Sequence, residues 1–153
     1  MIKKTYEKRK KHKHTRKNTH TSTLSRNFQQ KITVQFLELL IMVKLYHWKT
    51  HSYATHKATD ELYSSLNSNI DKFIEVLLGK TNSRIDLMNQ KSISLVDLNS
   101  QERLIERIKE CKRCLVDLNK DAFMDSMANT DLFNIRDEIL GNLNQFLYLL
   151  SFH

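Results

Sequence analysis

Five side chains of this sequence have the types and order to hold a metal ion: His47, His56, Asp60, Asp71 and Glu75. They lie in the stretch Tyr46 to Glu75, YHWKTHSYATHKATDELYSSLNSNIDKFIE, which also holds His51 and the single tryptophan, Trp48. Imidazole nitrogens mixed with carboxylate oxygens suit iron, manganese or zinc. A sphere that the protein fills only in part leaves positions for water and an oxidant. Such a set is a site for chemistry at a metal, not merely for structure.

The elements that carry these residues decide whether they can meet. His47 stands near the end of one apolar helical pattern, and the other four belong to the next. At about 100° per residue, Asp60, Asp71 and Glu75 fall within roughly 100° of His56 around the second helix, so all four share one side. Along the axis, a rise of ~1.5 Å per residue puts His56 and Asp71 roughly 22 Å apart, beyond any common coordination sphere. Two copies of the helix meeting antiparallel across a two-fold axis would bring Asp71 and Glu75 of one chain opposite His47 and His56 of the other. An isologous dimer makes two identical sites in this way.

The rest of the chain reads as all-α. It has no proline and two glycines, which removes the usual punctuation of strands and hairpins. At 153 residues it is one domain. A first helix is expected from Ser22 to Ser25 up to about Lys49, with Phe28, Ile32, Phe36, Leu39, Leu40, Val43 and Tyr46 in one stripe. Val34, Leu37, Ile41 and Leu45 cover much of its remaining surface, which predicts burial on a second side, against another subunit. After a short turn at residues 50–54, Thr55 is the expected N-cap of a second helix ending at Gly79, with Leu62, Leu66, Ile70, Phe73, Ile74 and Leu77 inward. Residues 80–99 read as a long crossover holding one short helix. A third helix follows from Ser100 to Phe123 or Met124, and a fourth starts after a cap at Thr130. Four long helices with a crossover between the second and third make a four-helix bundle of ferritin-like topology.

Charge is uneven. The net charge is +8, yet Lys3, Lys4, Lys8, Arg9, Lys10, Lys11, Lys13, Arg16 and Lys17 stand against only Glu7 in the first twenty residues, leaving sixteen bases and sixteen acids in the remainder. Residues 1–21 lack apolar periodicity and read as a disordered basic arm preceding a bundle domain over 22–153. Such an arm meets a polyanion, either nucleic acid or an acidic surface, or else is a solvated tail. Cys111 and Cys114 give no disulfide framework, and the CxxC spacing lies inside a helical pattern without a second pair. A soluble, intracellular protein is expected: no secretory leader is recognisable, and the most apolar run, Phe36 to Tyr46, is interrupted by Glu38 and Lys44.

The run Leu45-Tyr46-His47-Trp48 followed by His56, Asp60, Asp71 and Glu75 resembles the iron-site signature of the Dps branch of the ferritin-like superfamily. The helical pattern extends the resemblance over residues 24–151, with the motif confined to 45–79; ferritin-like proteins of large DNA viruses are a more distant likeness. The resemblance implies a homo-oligomer with two-fold interfaces, in that family a hollow dodecamer. It also implies oxidation and storage of ferrous iron at sites between subunits, and DNA binding through the lysine-rich arm. His47 and His56 would be ligands from one chain, Asp60 a secondary carboxylate beside them, and Asp71 and Glu75 ligands from the partner. Departures are a shorter turn between the histidines, Val76 where the family generally has arginine, and Phe146 and Tyr148 in place of a tryptophan on the last helix.

Competing expectations attach to each feature. Tyr46 and Trp48 are either electron donors near the metal or packing at a helix end. The carboxylates are either ligands or an ordinary solvated face. The whole is either a ferroxidase-like oxidoreductase or an inactive ferritin-like scaffold that binds nucleic acid or an acidic partner through its arm, in cytoplasm, nucleoid or virion.

Overall fold

The computed structural model describes residues 2–125 and 128–152, with side chains from Thr23 onward. Its elements are α1 (Ile2–Lys49), α2 (Tyr53–Thr81), α3 (Gln101–Asp117), a 3-10 turn (Leu118–Lys120), α4 (Ala122–Asp125) and α5 (Thr130–Leu149). The protein is all-helical, with no strand among the described residues. Among the described residues, no helix is long and apolar enough to cross a membrane.

The expected stripes form the core. From α1 come Phe28, Ile32, Phe36, Leu39 and Val43, from α2 Leu62, Leu66, Ile70, Phe73 and Leu77, from α3 Leu104, Ile108 and Leu115, and from α5 Leu132, Ile139, Leu143 and Phe146. Phe36 meets Phe73 edge to face at 5.3 Å, and Phe28 stacks on Phe123 at 4.7 Å. α2 packs on both α1 and α5, and α3 packs on α5. Val34, Leu37, Ile41 and Leu45 are only partly covered and stand outside the core cluster. A second chain on that face of α1 is therefore still an expectation.

Helix direction follows from the links. Residues 50–52 are the whole connection between α1 and α2, so the two run antiparallel. The Thr55 hydroxyl donates to the Gln101 side chain at 3.2 Å, and Gln101 Nε2 donates to the Leu150 carbonyl at 3.3 Å. The start of α2, the start of α3 and the end of α5 thus share one end of the molecule. Residues 82–100 return the chain along α1. Gln30 Nε2 donates to the Asp86 carbonyl at 2.8 Å, the Ser94 N–H to Glu38 at 3.3 Å, and Lys49 pairs with Asp97. The short helix expected in this crossover is absent: residues 82–100 carry only turns and irregular backbone, fastened to α1 along its length through Gln30, Glu38 and Lys49.

Helix ends differ from the sequence reading in physically legible ways. α1 runs unbroken from Ile2 instead of starting near Ser22 to Ser25. No proline or glycine precedes Gly79, and lysine and arginine are good helix formers. The side chains of the arm, Lys3 through Lys17, lie outside the described residues. α2 is capped by Ser52, whose hydroxyl accepts from the Thr55 N–H at 3.2 Å, because Thr55 itself is buried and engaged with Gln101. The helix passes through Gly79 and ends at Asn82, which takes the left-handed conformation (φ 46°, ψ 49°). Thr81 ties that end to α1: its hydroxyl accepts from the buried Gln29 amide at 3.0 Å, and Ser83 donates to the Gln29 carbonyl oxygen at 3.2 Å.

α3 stops at Asp117 instead of reaching Phe123. The buried Arg136 of α5 donates to the Leu115 carbonyl at 3.1 Å and to Asn119 at 3.0 Å, taking an acceptor at the helix end. Asp121 then caps α4 by accepting from the Phe123 N–H at 2.9 Å, which turns Phe123 onto Phe28. α5 begins at Thr130, with Asn129 in the cap position and Thr130 inside the helix.

Lys80 of α2 donates to the Ala128 carbonyl and to Asp131, both at 2.7 Å. Hydrogen bonding from Lys80 holds the Asp131 carboxyl below its ordinary range. A depressed carboxyl stabilises the fold fully above its unfolded pKa and loses that contribution as pH falls through its folded value. Asp131→Asn is thus expected to lower stability by about 0.2–1 kcal/mol at neutral pH. Urea titrations of parent and variant should converge below the ordinary carboxylate range.

Candidate metal half-site

α1 delivers His47 at its last turn and α2 delivers His56 at its first, with three residues between the helices. The two imidazoles stack with centroids 3.9 Å apart and planes 24° from parallel. Each ring is also clasped to the other helix. His47 Nδ1 lies 3.1 Å from the His56 carbonyl, and His56 Nδ1 lies 3.1 Å from the His47 carbonyl. A carbonyl only accepts, so each Nδ1 must carry the proton and each Nε2 keeps its lone pair. This is the tautomer that offers Nε2 to a metal.

His47 is buried, and its Nε2 faces Asp60 Oδ1 at 3.9 Å. His56 is half-buried, and the Asp60 side chain is 55% exposed, free to swing toward either ring. Asp71 and Glu75 are exposed on α2. Asp71 follows Asp60 by three helical turns, roughly 16 Å along the axis. The structure therefore brings His47, His56 and Asp60 to one end and leaves Asp71 and Glu75 on the open flank. Among the described residues, no group of three or more His, Cys, Asp and Glu side chains closes into a metal site within the chain. Imidazole nitrogens and a carboxylate are the donor types that suit a borderline divalent cation such as ferrous iron, manganese or zinc, and any such ion here would need further ligands from elsewhere.

The neighbouring aromatics separate. Tyr46 is buried, and burial, with the Glu102 charge second, raises its hydroxyl above the ordinary range. Trp48 is 69% exposed. Lys44 sits 5.7 Å from the Trp48 ring and 4.7 Å from that of Tyr63. Packing therefore accounts for the place of Tyr46 and not for that of Trp48. His51 is exposed in the link. Cys111 and Cys114 are free thiols, and burial pushes Cys111 up to about 11, which keeps it protonated at neutral pH and a poor ligand.

Sequence reasoning passed over Thr59, which is fully buried beneath the histidines. Its hydroxyl lies 3.3 Å from His47 Nδ1, 2.8 Å from the Thr55 carbonyl and 2.9 Å from the His56 carbonyl. Its only sequence signal is its position three residues after His56, on the side of α2 that turns toward α1.

Neither a curated protein nor a solved structure matches the chain. The model of one family matches residues 47–150, from His47 itself to the end of α5. The chain thus belongs to a family of unknown function, DUF5856.

Proposed function

We propose that this protein binds ferrous iron between two-fold-related copies of itself and oxidises it, in the manner of the Dps-like proteins its motif resembles. The observation that carries the reading is the crossed clasp of His47 and His56, which leaves both Nε2 lone pairs free, that of His47 facing Asp60. Asp71 and Glu75 of a second chain complete the set, and the half-covered face of α1 at Val34, Leu37, Ile41 and Leu45 gives that chain an apolar seat. The all-helical architecture, with a crossover climbing α1, suits a ferritin-like bundle. Iron is the substrate: each ferrous ion surrenders one electron, and peroxide takes two to become water. The protein's part is to hold imidazole nitrogens and carboxylate oxygens where ferric charge develops.

The test is a ferric absorbance rise on adding ferrous iron and peroxide, run beside light scattering and metal analysis. A closed shell containing iron is the expected result. A monomer that oxidises no faster than buffer would overturn the proposal.

A second reading is favoured by the nine arm cations against one acid: a ferritin-like scaffold that coats nucleic acid, in the cell or packaged in a virion. Deleting residues 1–21 is expected to abolish DNA binding, together with a log–log salt slope of about −0.9 per phosphate contact. Circular dichroism should show the bundle intact. Equal gel shifts from truncated and full-length protein would remove the arm as the contact.

A further inference from the structure

We infer that Thr59 is the positioning residue of the half-site, committing His47 to the tautomer in which Nε2 is the free donor. This deepens the metal reading and rests on it. The Thr59 hydroxyl has one proton, and two carbonyl oxygens compete for it, those of Thr55 at 2.8 Å and His56 at 2.9 Å. What it presents to His47 Nδ1 at 3.3 Å is then a lone pair, which only an N–H can use.

The contact matters because the other acceptor is already shared. The His56 carbonyl takes the His47 Nδ1 proton at 3.1 Å, accepts from Thr59, and also serves the α2 ladder. An oxygen divided among three donors holds each of them less firmly. Thr59 gives the buried imidazole a second acceptor, and its own orientation is fixed by the helix that carries it. The side chain is fully buried, so water cannot take its place. Among the described residues, the His56 ring has no such hydroxyl and is held by the His47 carbonyl and by stacking on the His47 ring.

The experiment compares the parent, Thr59→Val and Thr59→Ser. Valine keeps the shape and removes the oxygen; serine keeps the oxygen and removes the methyl. Imidazole nitrogen NMR on metal-free protein reads the tautomer, and titration with cobalt(II) alone, followed by its visible absorption, reads donor competence. The parent and Thr59→Ser should show His47 as a single Nδ1–H species. Thr59→Val should show mixed tautomers and cobalt binding weakened about tenfold or more. Thr59→Val matching the parent in both readouts would overturn the inference. So would Thr59→Ser weakened as much as Thr59→Val, since packing and not the hydroxyl would then be responsible. Failure of the parent to take up cobalt would defeat the metal reading instead, while the nitrogen spectra would still decide whether Thr59 sets the tautomer.

Discussion

Mixing His47→Ala protein with Asp71→Ala protein is expected to restore about one quarter of the parent's ferrous-oxidation rate, although each variant alone has none. His47 lies beside Asp60, and Asp71 is roughly 16 Å further along α2, so on the proposed function a working site takes one from each copy. In a mixed dimer one site carries both lesions and the other carries neither. Random pairing makes half of all dimers mixed, and each of these holds one intact site of two. Co-refolding the variants and measuring the ferric absorbance checks this directly. A mixture as inactive as its components, with the parent active, would mean that the donors come from the same chain. The double variant His47→Ala with Asp71→Ala should stay inactive when mixed with itself, which guards against rescue by bulk chemistry.

Phe73→Ala should have the largest effect on stability, about 3–5 kcal/mol. The ring is fully buried at the middle of α2, edge to face with Phe36 of α1, and α2 is the helix that packs on both α1 and α5. Removing it leaves a cavity against Phe36 in the core. Urea unfolding with an unchanged slope and a much lower midpoint is the expected result. A shift under 1 kcal/mol would show that the core collapses around the gap.

The core was readable from sequence because burial on a helix is periodic. The stripe Phe28, Ile32, Phe36, Leu39, Leu40, Val43 and Tyr46 is buried at every position. Helix ends were not, because tertiary contacts decide them. Thr55 has the chemistry of a cap, but Gln101 claims its hydroxyl and Ser52 caps instead. Gly79 looks like a stop, yet a helical glycine costs only about 1 kcal/mol, and the chain turns where Asn82 can adopt positive φ. α3 ends where Arg136, nineteen residues downstream of Asp117, takes the Leu115 carbonyl. The five expected ligands divide by the same logic. Spacing along one helix placed Asp60, Asp71 and Glu75, whereas the stacking of His47 on His56 and the hydroxyl of Thr59 depend on how two helices are joined. No period in the sequence encodes that.

The brevity of the link at residues 50–52 also governs when the donors assemble as the chain folds. Closing a loop costs entropy that grows with the logarithm of its length, about 0.6 kcal/mol per doubling. His47 and His56 are nine positions apart, whereas the link from α2 to α3 takes up residues 82–100. The α1–α2 hairpin is therefore the low-contact-order part of the molecule, the part expected to close first. Both imidazoles reach their carbonyl partners within that hairpin, before the crossover is laid down. The imidazole pair is therefore expected to be in place before the rest of the bundle closes around it.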